Sequence, residues 1–269
     1  MTYLANSEHS CGIKLSAVLI TKNEEKQIAE CLESLRFCDE IIVVDSASSD
    51  RTVKIAQDFG CRVIQTTDWP GFGLQKQRAL DQARGQWVLS IDADERVTPA
   101  LANEIRKTIV SGTARGYFIK RKSQFLGRWM RFGGWHPDHV LRLAQREFCG
   151  FEPALVHEKM LVSGPTSRLK NHFLHYSYRS ISDVLEKQKK YALLGASRLK
   201  TQRFAQAQAS SISLLSAIGH SLWTFFRLYV VQLGALDGRQ GLLSAIFKSQ
   251  ETFWKYIAVE FEPSRGDPN

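Results

Sequence analysis

Four short apolar segments alternate with helix-like segments along residues 15–110, and this alternation constrains the fold more than any other feature. The apolar segments are LSAVLIT, EIIVVD, RVIQT and WVLSI, which begin at residues 15, 40, 62 and 87. Between the first two, apolar residues recur with the i, i+3, i+4, i+7 spacing of one helix face at Ile28, Cys31, Leu32 and Leu35. Strands that are apolar throughout and separated by helices are typical of a parallel sheet covered by helices on both faces.

Polar side chains follow three of these predicted strands directly. Residues 21–24 read TKNE, residues 45–46 read DS, and residues 92–94 read DAD. In open α/β sheets, ligands bind at the carboxyl ends of the parallel strands. We therefore expect the three segments to converge on one rim of the sheet. The acidic residues after the fourth strand should lie at the mouth of a site and not in the core.

The fourth strand ends in Asp92-Ala93-Asp94-Glu95, which places three carboxylates in four residues. Such groups repel one another and are costly to remove from water. Mg²⁺ or Mn²⁺ prefers oxygen ligands and is usually held by one or two protein carboxylates together with substrate phosphate oxygens, so a divalent cation would account for the cluster. The alternative is a solvated acidic turn, because Asp-x-Asp alone occurs often by chance.

Positive charge is concentrated in the second half of the chain. The protein carries a formal net charge of +9, whereas residues 115–203 alone contain 18 Lys/Arg and 6 Asp/Glu. This basic block favours an anionic partner, namely nucleic acid, anionic lipid or a phosphorylated substrate; a solvated basic surface without a partner is the alternative. The five cysteines include no Cys-x-x-Cys pair, which argues against a zinc site or a disulfide framework.

A resemblance to the family 2 glycosyltransferases of the GT-A fold is carried by three segments and their mutual spacing: SAVLITKNEE, IIVVDSASSDRT and GFGLQKQRALDQARGQWVLSIDADE. It implies an α/β fold of Rossmann-like type, with a mostly parallel sheet, helices on both faces and a helical C-terminal extension. It also implies a UDP-sugar donor. Thr21, Asn23 and Glu24 would line the nucleobase pocket. Asp45 would receive the uracil or the ribose.

The same resemblance implies roles for residues near the acidic turn. Lys76 would approach the base or the diphosphate, Asp92 would face the ribose or the metal, and Asp94 would hold the divalent cation, Mg²⁺ or Mn²⁺. For Lys76, an exposed helix lysine is the alternative. His175, in LHYS, is placed to join the metal as a late histidine does in some GT-A enzymes. A hydrogen-bonded structural histidine is the alternative there.

The second half of the chain resembles a narrower group, the lipopolysaccharide core glycosyltransferases that add glucose to the inner-core heptose. The resemblance is carried by GGWHPDHVLRL, LVHEKM, FLHYSYRS, VLEKQKKYA and LDGRQGLLSAIFKSQETFWKY. Inversion at the sugar carbon needs a base for the acceptor hydroxyl, and both Asp138 and Glu158 qualify. Alternatively, Asp138 caps a turn and Glu158 pairs with Arg142. Five basic residues suit a phosphorylated or lipid-linked acceptor: Arg128, Arg131, Arg142, Lys187 and Lys190.

The C-terminal part of the chain is predicted to be helical. We expect a catalytic domain at residues 12–180, with a nucleotide-sugar half at 12–112 and an acceptor half at 113–180. We expect the helical extension at residues 181–262. Residues 212–236 are apolar but include Arg227, whose burial in a bilayer would cost roughly 3 kcal/mol or more. An amphipathic helix lying on an anionic membrane surface avoids that cost. The alternative is a helical pair packed on the catalytic domain or on a second copy.

These observations predict an inverting, metal-dependent glycosyltransferase that moves glucose from a UDP-sugar to a lipid-linked lipopolysaccharide core acceptor. We expect it to be a peripheral protein of the cytoplasmic face of the inner membrane. A polyprenyl-phosphate glycosyltransferase is the alternative within the class, and its phosphate acceptor would need no base. A basic nucleic-acid-binding protein is disfavoured, because aromatic residues do not alternate with basic ones on a clear platform and Asp92 and Asp94 would have no role. We therefore expect no nucleic-acid partner.

Overall fold

The computed structural model describes residues 13–153, 159–205 and 213–262. The chain divides into two compact units. The first unit contains residues up to 121 together with 139–175, and the second contains residues 122–138 together with the chain from 176 onward. The second unit resumes at residue 176, and the domain boundary expected after residue 180 stays a prediction. Residues 122–138, expected in the acceptor half of the catalytic domain, belong to the second unit.

Most of the strands form a single sheet. The strands are β1 (Leu15–Thr21), β2 (Glu40–Asp45), β3 (Arg62–Gln65), β4 (Trp87–Ser90), β5 (Glu95–Val97), β6 (Gly116–Phe125), β7 (Arg128–Trp129), β8 (Asp138–Gln145), β9 (Cys149–Phe151), β10 (Met160–Val162) and β11 (Thr166–Tyr178). Nine of them form a sheet in the order β3-β2-β1-β4-β8-β6-β11-β5, with β7 paired to β6. The remaining two, β9 and β10, pair with each other.

The sheet is parallel over its first four strands and mixed beyond them. The helices between and after those strands are α1 (Ile28–Ser34), α2 (Thr52–Asp58), α3 (Phe72–Asp81) and α4 (Pro99–Ser111). The neighbours β3, β2, β1 and β4 run parallel, as the alternation predicts. Beyond them, β8 runs antiparallel to β4, and β5 runs antiparallel to β11. The parallel arrangement that the alternation predicts is confirmed for β1–β4, where helices provide the crossovers that parallel strands need.

The main core lies beneath α1 and α4. The predicted apolar face of α1 is fully buried, and it comprises Ile28, Cys31, Leu32 and Leu35. This face packs in one cluster with the side chains of Leu19, Ile91 and Phe173. The burial explains why so short a helix forms, since packing of an apolar face contributes more to helix stability than intrinsic propensity does.

One carboxylate fastens α4 to β11. Glu104 accepts hydrogen bonds from the backbone N–H groups of Lys170 and Asn171 at 2.8 and 2.9 Å. The side-chain amide of Asn171 donates a further bond at 2.7 Å. These bonds satisfy backbone donors of a strand whose other face belongs to the core, so Glu104 couples helix and sheet at the edge of the first unit.

The second unit is mainly helical, as expected for the C-terminal extension. Its helices are α5 (Ile181–Ala205), α6 (Leu214–Phe226) and α7 (Gly238–Phe261). After α6 the chain continues as a π-helical segment at Arg227–Val231 and a short 3₁₀ helix at Gly234–Asp237. Helix α7 packs against both α5 and α6.

A buried carboxylate ties residues 122–138 to this helical unit. Asp237 is fully buried, and its Oδ2 accepts hydrogen bonds from the backbone N–H groups of Arg131 and Phe132 at 2.9 and 2.8 Å. The guanidinium of Arg128 lies 3.4 Å from Oδ1 of the same carboxylate. A buried charge must be paired and hydrogen-bonded to be tolerated, so these contacts explain why the short segment belongs with helices far along the chain.

The surface of α6 and the turns after it is rich in exposed apolar side chains. We call this set the α6 apolar face: Leu214, Leu215, Ile218, Leu222, Trp223, Phe226, Val230, Val231, Leu233 and Leu236. Leu215 is 80% exposed and Leu222 is 65% exposed. Among the described residues, Leu214–Val231 is the stretch long and apolar enough to cross a membrane, judged by length and composition alone.

Candidate active site

The carboxyl ends of β1 and β2 meet at one edge of the sheet. Thr21 lies opposite Asp45 in the parallel register, and its hydroxyl donates a hydrogen bond to Asp45 Oδ2 at 2.9 Å. The chain leaves β4 on the other side of β1, where the backbone N–H of Ile91 donates to the carbonyl oxygen of Val18 at 3.2 Å. The predicted convergence of residues 21–24, 45–46 and 92–94 on one rim therefore follows from the strand order.

Asp45 shapes the loop after β2. Its side chain is fully buried, and it accepts hydrogen bonds from Ser48 N–H at 2.8 Å, from the Ser48 hydroxyl at 2.5 Å and from Thr21. These three hydrogen bonds fix the conformation of the loop after β2. The contact between Asp45 and a uracil or ribose stays a prediction.

Asn23 and Glu24 connect the loops that follow β1 and β2. Asn23 has a left-handed backbone with φ 57°, a conformation that asparagine tolerates well. Its side-chain oxygen accepts a hydrogen bond from Ser49 N–H at 2.8 Å, and its own N–H donates to the Ser48 hydroxyl at 2.8 Å. The N–H of Glu24 donates to the Thr52 hydroxyl at 2.7 Å. These bonds join the two loops into one wall, with Asn23 exposed and Glu24 partly exposed.

Two cations hold Asp92 at the start of the acidic turn. Lys76 Nζ lies 2.9 Å from Asp92 Oδ1, and Arg142 Nη2 lies 2.5 Å from Asp92 Oδ2. Burial alone would raise the pKa of Asp92, but the charges of Arg142 and Lys76 hold that pKa well below its usual range. Lys76 is buried on α3, so the alternative of an exposed helix lysine is wrong.

Glu95 is buried beneath the turn. It begins β5, and its carboxylate accepts a hydrogen bond from Asp92 N–H at 3.0 Å and another from Arg142 Nη2 at 3.1 Å. Arg121 lies 3.6 Å from the same carboxylate. The expectation that the acidic residues lie outside the core is therefore wrong for Glu95. Arg142, expected to bind an acceptor, has a buried guanidinium that pairs with the carboxylates of Asp92 and Glu95.

Asp94 and His175 form a second pair on the outer side of the turn. Asp94 Oδ2 lies 3.3 Å from His175 Nε2, and the two side chains are 18% and 15% exposed. His175 is brought there by β11, where it lies opposite Glu95. Two ligands of one Mg²⁺, each about 2.1 Å from the ion and at a right angle, are about 3 Å apart. The spacing of these two atoms therefore fits two neighbouring ligands of a divalent cation.

The donor set for such a cation is small. Among the described residues there is no cluster of three or more His, Cys, Asp and Glu side chains that could hold a metal. Both oxygens of Asp92 already contact cations, whereas Asp94 and His175 supply one oxygen and one nitrogen. A cation held by these two residues would complete its coordination with phosphate oxygens and water, which is the usual arrangement for Mg²⁺.

The two candidates for the catalytic base differ in what the structure says of them. Asp138 is the first residue of β8 and belongs to the second unit, where it is partly buried. Glu158 lies outside the described residues, and so does the proposed pairing of Glu158 with Arg142. The choice of base therefore stays a prediction.

Two of the basic residues expected to bind an acceptor have partners within the second unit. Arg128 pairs with Asp237, and Lys187 Nζ donates a hydrogen bond to the carbonyl oxygen of Ser177 at 2.8 Å. These contacts position both cations structurally. They do not test the acceptor-binding role expected for the residues.

Sequence reasoning missed the partnership of Glu95, Arg121 and Arg142. A signal was present, because Arg142 interrupts the apolar strand sequence VLRLA and a charge buried in such a strand requires a partner of opposite sign. The identity of the partner depended on β8 pairing with β4, which is a contact between distant parts of the chain.

The fold defines a class, the glycosyltransferases of the GT-A fold. In overall structure the chain is similar to S. aureus TarS 1–349 in complex with UDP-GlcNAc, with a TM-score of 0.50, 17% identity, and coverage of 92% of this chain and 90% of that one. At this level of identity the similarity supports the fold.

Sequence comparison gives the family. Residues 16–155 match glycosyl transferase family 2. The chain is 32% identical over 196 residues to the lipopolysaccharide core biosynthesis glycosyltransferase LpsC of Rhizobium meliloti, covering 68% of this chain and 71% of that protein. It is 28% identical over 251 residues to an uncharacterized glycosyltransferase of Rickettsia conorii, covering 87% and 85%. The protein therefore belongs to glycosyl transferase family 2.

Proposed function

We propose that this glycosyltransferase moves glucose, with inversion, from UDP-glucose to the inner-core heptose of lipopolysaccharide. The observation that carries the proposal is the pair Asp94–His175, which lies beside the ion-paired Asp92 where the chain leaves β4. The name of the R. meliloti relative supports lipopolysaccharide core as the pathway, and the UDP-GlcNAc bound to TarS supports a UDP-sugar as the donor.

Different residues of the first unit would bind different parts of the UDP-sugar donor. The wall built by Asn23 and Glu24 would face the nucleobase, with Asp45 holding the loop in shape. Asp94 and His175 would hold Mg²⁺ or Mn²⁺. When bound, that cation would offset the negative charge that develops on the departing UDP. Lys76, held against Asp92, adds a further positive charge near the diphosphate.

The acceptor hydroxyl must lose its proton, and Asp138 or Glu158 would take it. The polyprenyl-phosphate alternative makes a different prediction, because a phosphate acceptor is already ionised. Asp138→Asn and Glu158→Gln distinguish the two. With a heptose hydroxyl as acceptor, one of the variants should lose most of its kcat while UDP affinity is unchanged. Full activity of both variants on polyprenyl phosphate would favour the alternative.

We also propose that the protein works at the cytoplasmic face of the inner membrane as a peripheral protein. The α6 apolar face leaves ten large apolar side chains exposed along one helix and the turns after it. Arg227 is also exposed at the end of α6, and the basic block at 115–203 adds positive charge. An apolar helix face combined with basic residues supplies two signals for binding an anionic lipid surface.

A panel of nucleotide sugars tests the central proposal. Purified protein would be incubated with UDP-glucose, UDP-galactose, UDP-GlcNAc and ADP-heptose, with and without Mg²⁺ or Mn²⁺ and a heptose-containing core acceptor. We expect metal-dependent transfer from UDP-glucose, with an inverted anomeric centre in the product. Transfer from a donor other than a UDP-sugar, or full transfer in the presence of a chelator, would contradict the proposal.

A further inference from the structure

Arg142 is a buried charged residue inside the apolar strand β8. Its Nη2 donates to Asp92 Oδ2 at 2.5 Å and to Glu95 Oε1 at 3.1 Å. Its position follows from the pairing of β8 with β4, in which Leu143 lies opposite Leu89. Arg142 is the next residue along β8 towards the carboxyl end of β4, where the acidic turn starts.

Arg142, Glu95 and Asp92 form a closed ring of hydrogen bonds. Glu95 accepts from the backbone N–H of Asp92 with one oxygen and from Arg142 with the other, and Arg142 also reaches the carboxylate of Asp92. The N–H of Glu95 donates to the carbonyl oxygen of Asp92 at 2.9 Å. The ring therefore fixes the backbone on both sides of Asp94, whose carboxylate lies beside His175.

The chemistry of the ring favours arginine at position 142. Both hydrogen bonds come from Nη2, so one end of a rigid, planar guanidinium reaches two carboxylates together, whereas a lysine ammonium is a compact point charge on a flexible stem. Glu95 is fully buried, and a buried carboxylate without its cation would be strongly destabilising. Arg142 is thus, with Arg121, a counter-ion of Glu95, and it also links Glu95 to Asp92.

We propose that Arg142 is a positioning residue of the donor site: through Asp92 and Glu95, it holds residues 92–95 in the geometry in which Asp94 and His175 bind a divalent cation and the donor diphosphate. This inference rests on the proposed UDP-sugar function. It gives Arg142 a role in donor binding in place of the expected contact with an acceptor.

Two other roles for Arg142 predict different results for its substitution. If Arg142 bound the acceptor, its substitution would raise the acceptor KM and leave UDP affinity unchanged. If it only stabilised the fold, its substitution would lower the melting temperature without changing the affinity of the folded protein. Donor affinity, acceptor KM and stability must therefore be measured on the same variants.

The experiment compares Arg142→Gln, Arg142→Lys and Glu95→Gln in the full chain, together with the double variant R142Q/E95Q. Arg168→Gln is the matched control, because Arg168 is an exposed arginine of β11 in the same unit. Calorimetry measures UDP affinity with Mg²⁺ or Mn²⁺, kinetics give kcat and both KM values, and thermal melts report stability. The ¹⁵N chemical shifts of the His175 ring, recorded without metal or nucleotide, report whether the Asp94–His175 pair is intact.

We expect Arg142→Gln and Glu95→Gln each to weaken UDP–metal affinity about ten- to a hundredfold, the range for losing a hydrogen bond to a charged group. Both should shift the His175 ring signals and leave the acceptor KM unchanged. Arg142→Lys should recover part of the affinity, and the double variant should lose less than the two single losses combined. Arg168→Gln should behave as the wild type.

Unchanged UDP affinity and unchanged His175 signals in folded Arg142→Lys and Glu95→Gln would overturn the inference, even if Arg142→Gln fails to fold. A raised acceptor KM as the sole change would return Arg142 to an acceptor role. A wild-type protein that does not bind UDP would contradict the proposed function itself. The His175 signals would then still show whether the ring positions Asp94.

Discussion

The residues around the acidic turn in the first unit and the α6 apolar face in the second unit depart from ordinary globular packing in opposite ways. In the first unit, the charged side chains of Lys76, Glu95 and Arg142 are buried. In the second unit, large apolar side chains such as Leu215 and Trp223 are exposed. Buried ion pairs are costly to desolvate, and exposed apolar surface forgoes about 25 cal/mol per Å² of stabilisation. Stability alone favours neither arrangement, which fits the donor site proposed for the first unit and the membrane-binding surface proposed for the second.

The largest effect is expected at the acidic turn. Asp94→Ala should reduce transfer by more than about a hundredfold while the fold is retained, because it removes the carboxylate proposed to bind the cation and leaves the ring around Glu95 intact. Asp58→Ala, which changes an exposed carboxylate at the end of α2, is the control. Near-normal activity of Asp94→Ala with added Mn²⁺ or Mg²⁺ would remove Asp94 from the metal site.

The corresponding change in the second unit replaces part of the α6 apolar face. The triple variant Leu215→Gln, Leu222→Gln and Trp223→Gln should bind anionic liposomes at least about tenfold more weakly. Each apolar side chain that becomes half-buried in the lipid contributes on the order of 1 kcal/mol to membrane binding. UDP affinity should be unchanged, because the residues proposed to bind the nucleotide lie in the first unit. Flotation with anionic and neutral vesicles measures the effect.

Val110→Gln is the control for that triple variant, because Val110 is an exposed apolar residue of α4 in the first unit. It should float as the wild type does. If the wild type floats with neither kind of vesicle at low salt, the α6 apolar face has another partner. A concentration-dependent change in mass would then identify that partner as a second copy of the chain.

A smaller effect is expected at Asp45, where the loops after β1 and β2 are joined. Asp45→Ala should weaken UDP binding by about 1–3 kcal/mol and also lower the melting temperature, because three donors lose their acceptor. Calorimetry and thermal melts on one preparation test this. Weaker UDP binding with an unchanged melting temperature would indicate direct contact with the nucleotide in place of a structural role.

The smallest effect concerns a partly exposed carboxylate of the first unit. Burial raises the pKa of Glu104, but hydrogen bonds from Lys170 and Asn171 more than offset this and lower it below the usual value. The ionised carboxylate of Glu104 therefore stabilises the folded state above the unfolded-state pKa. This stabilisation is lost as the pH falls through the lower folded-state pKa. Glu104→Gln should remove less than about 1 kcal/mol at neutral pH, because solvent screens the group. Urea melts between pH 3 and 7 measure the difference.

The sequence predicts the parts of the structure that depend on local patterns. Continuous apolar segments identified β1–β4, and their order placed Thr21 and Asp92 at the same rim. The sequence could not reveal β5, because this strand has three residues and begins inside the acidic turn. Nor could it reveal the partners of Arg142, which depend on an antiparallel pairing between segments about fifty residues apart.

The buried Asp237 also has a consequence for the synthesis of the protein. Its carboxylate accepts the backbone N–H of Arg131, and 106 residues separate the two along the chain. At roughly 5–20 residues per second, the ribosome adds the second partner on the order of 5–20 s after the first. During that interval, residues 1–121 can begin to fold as they emerge. The hydrogen bonds from the backbone N–H groups of Arg131 and Phe132 to Asp237 cannot form until Asp237 has been added. The second unit is therefore completed only after Asp237 has been added, later than all segments of the first unit.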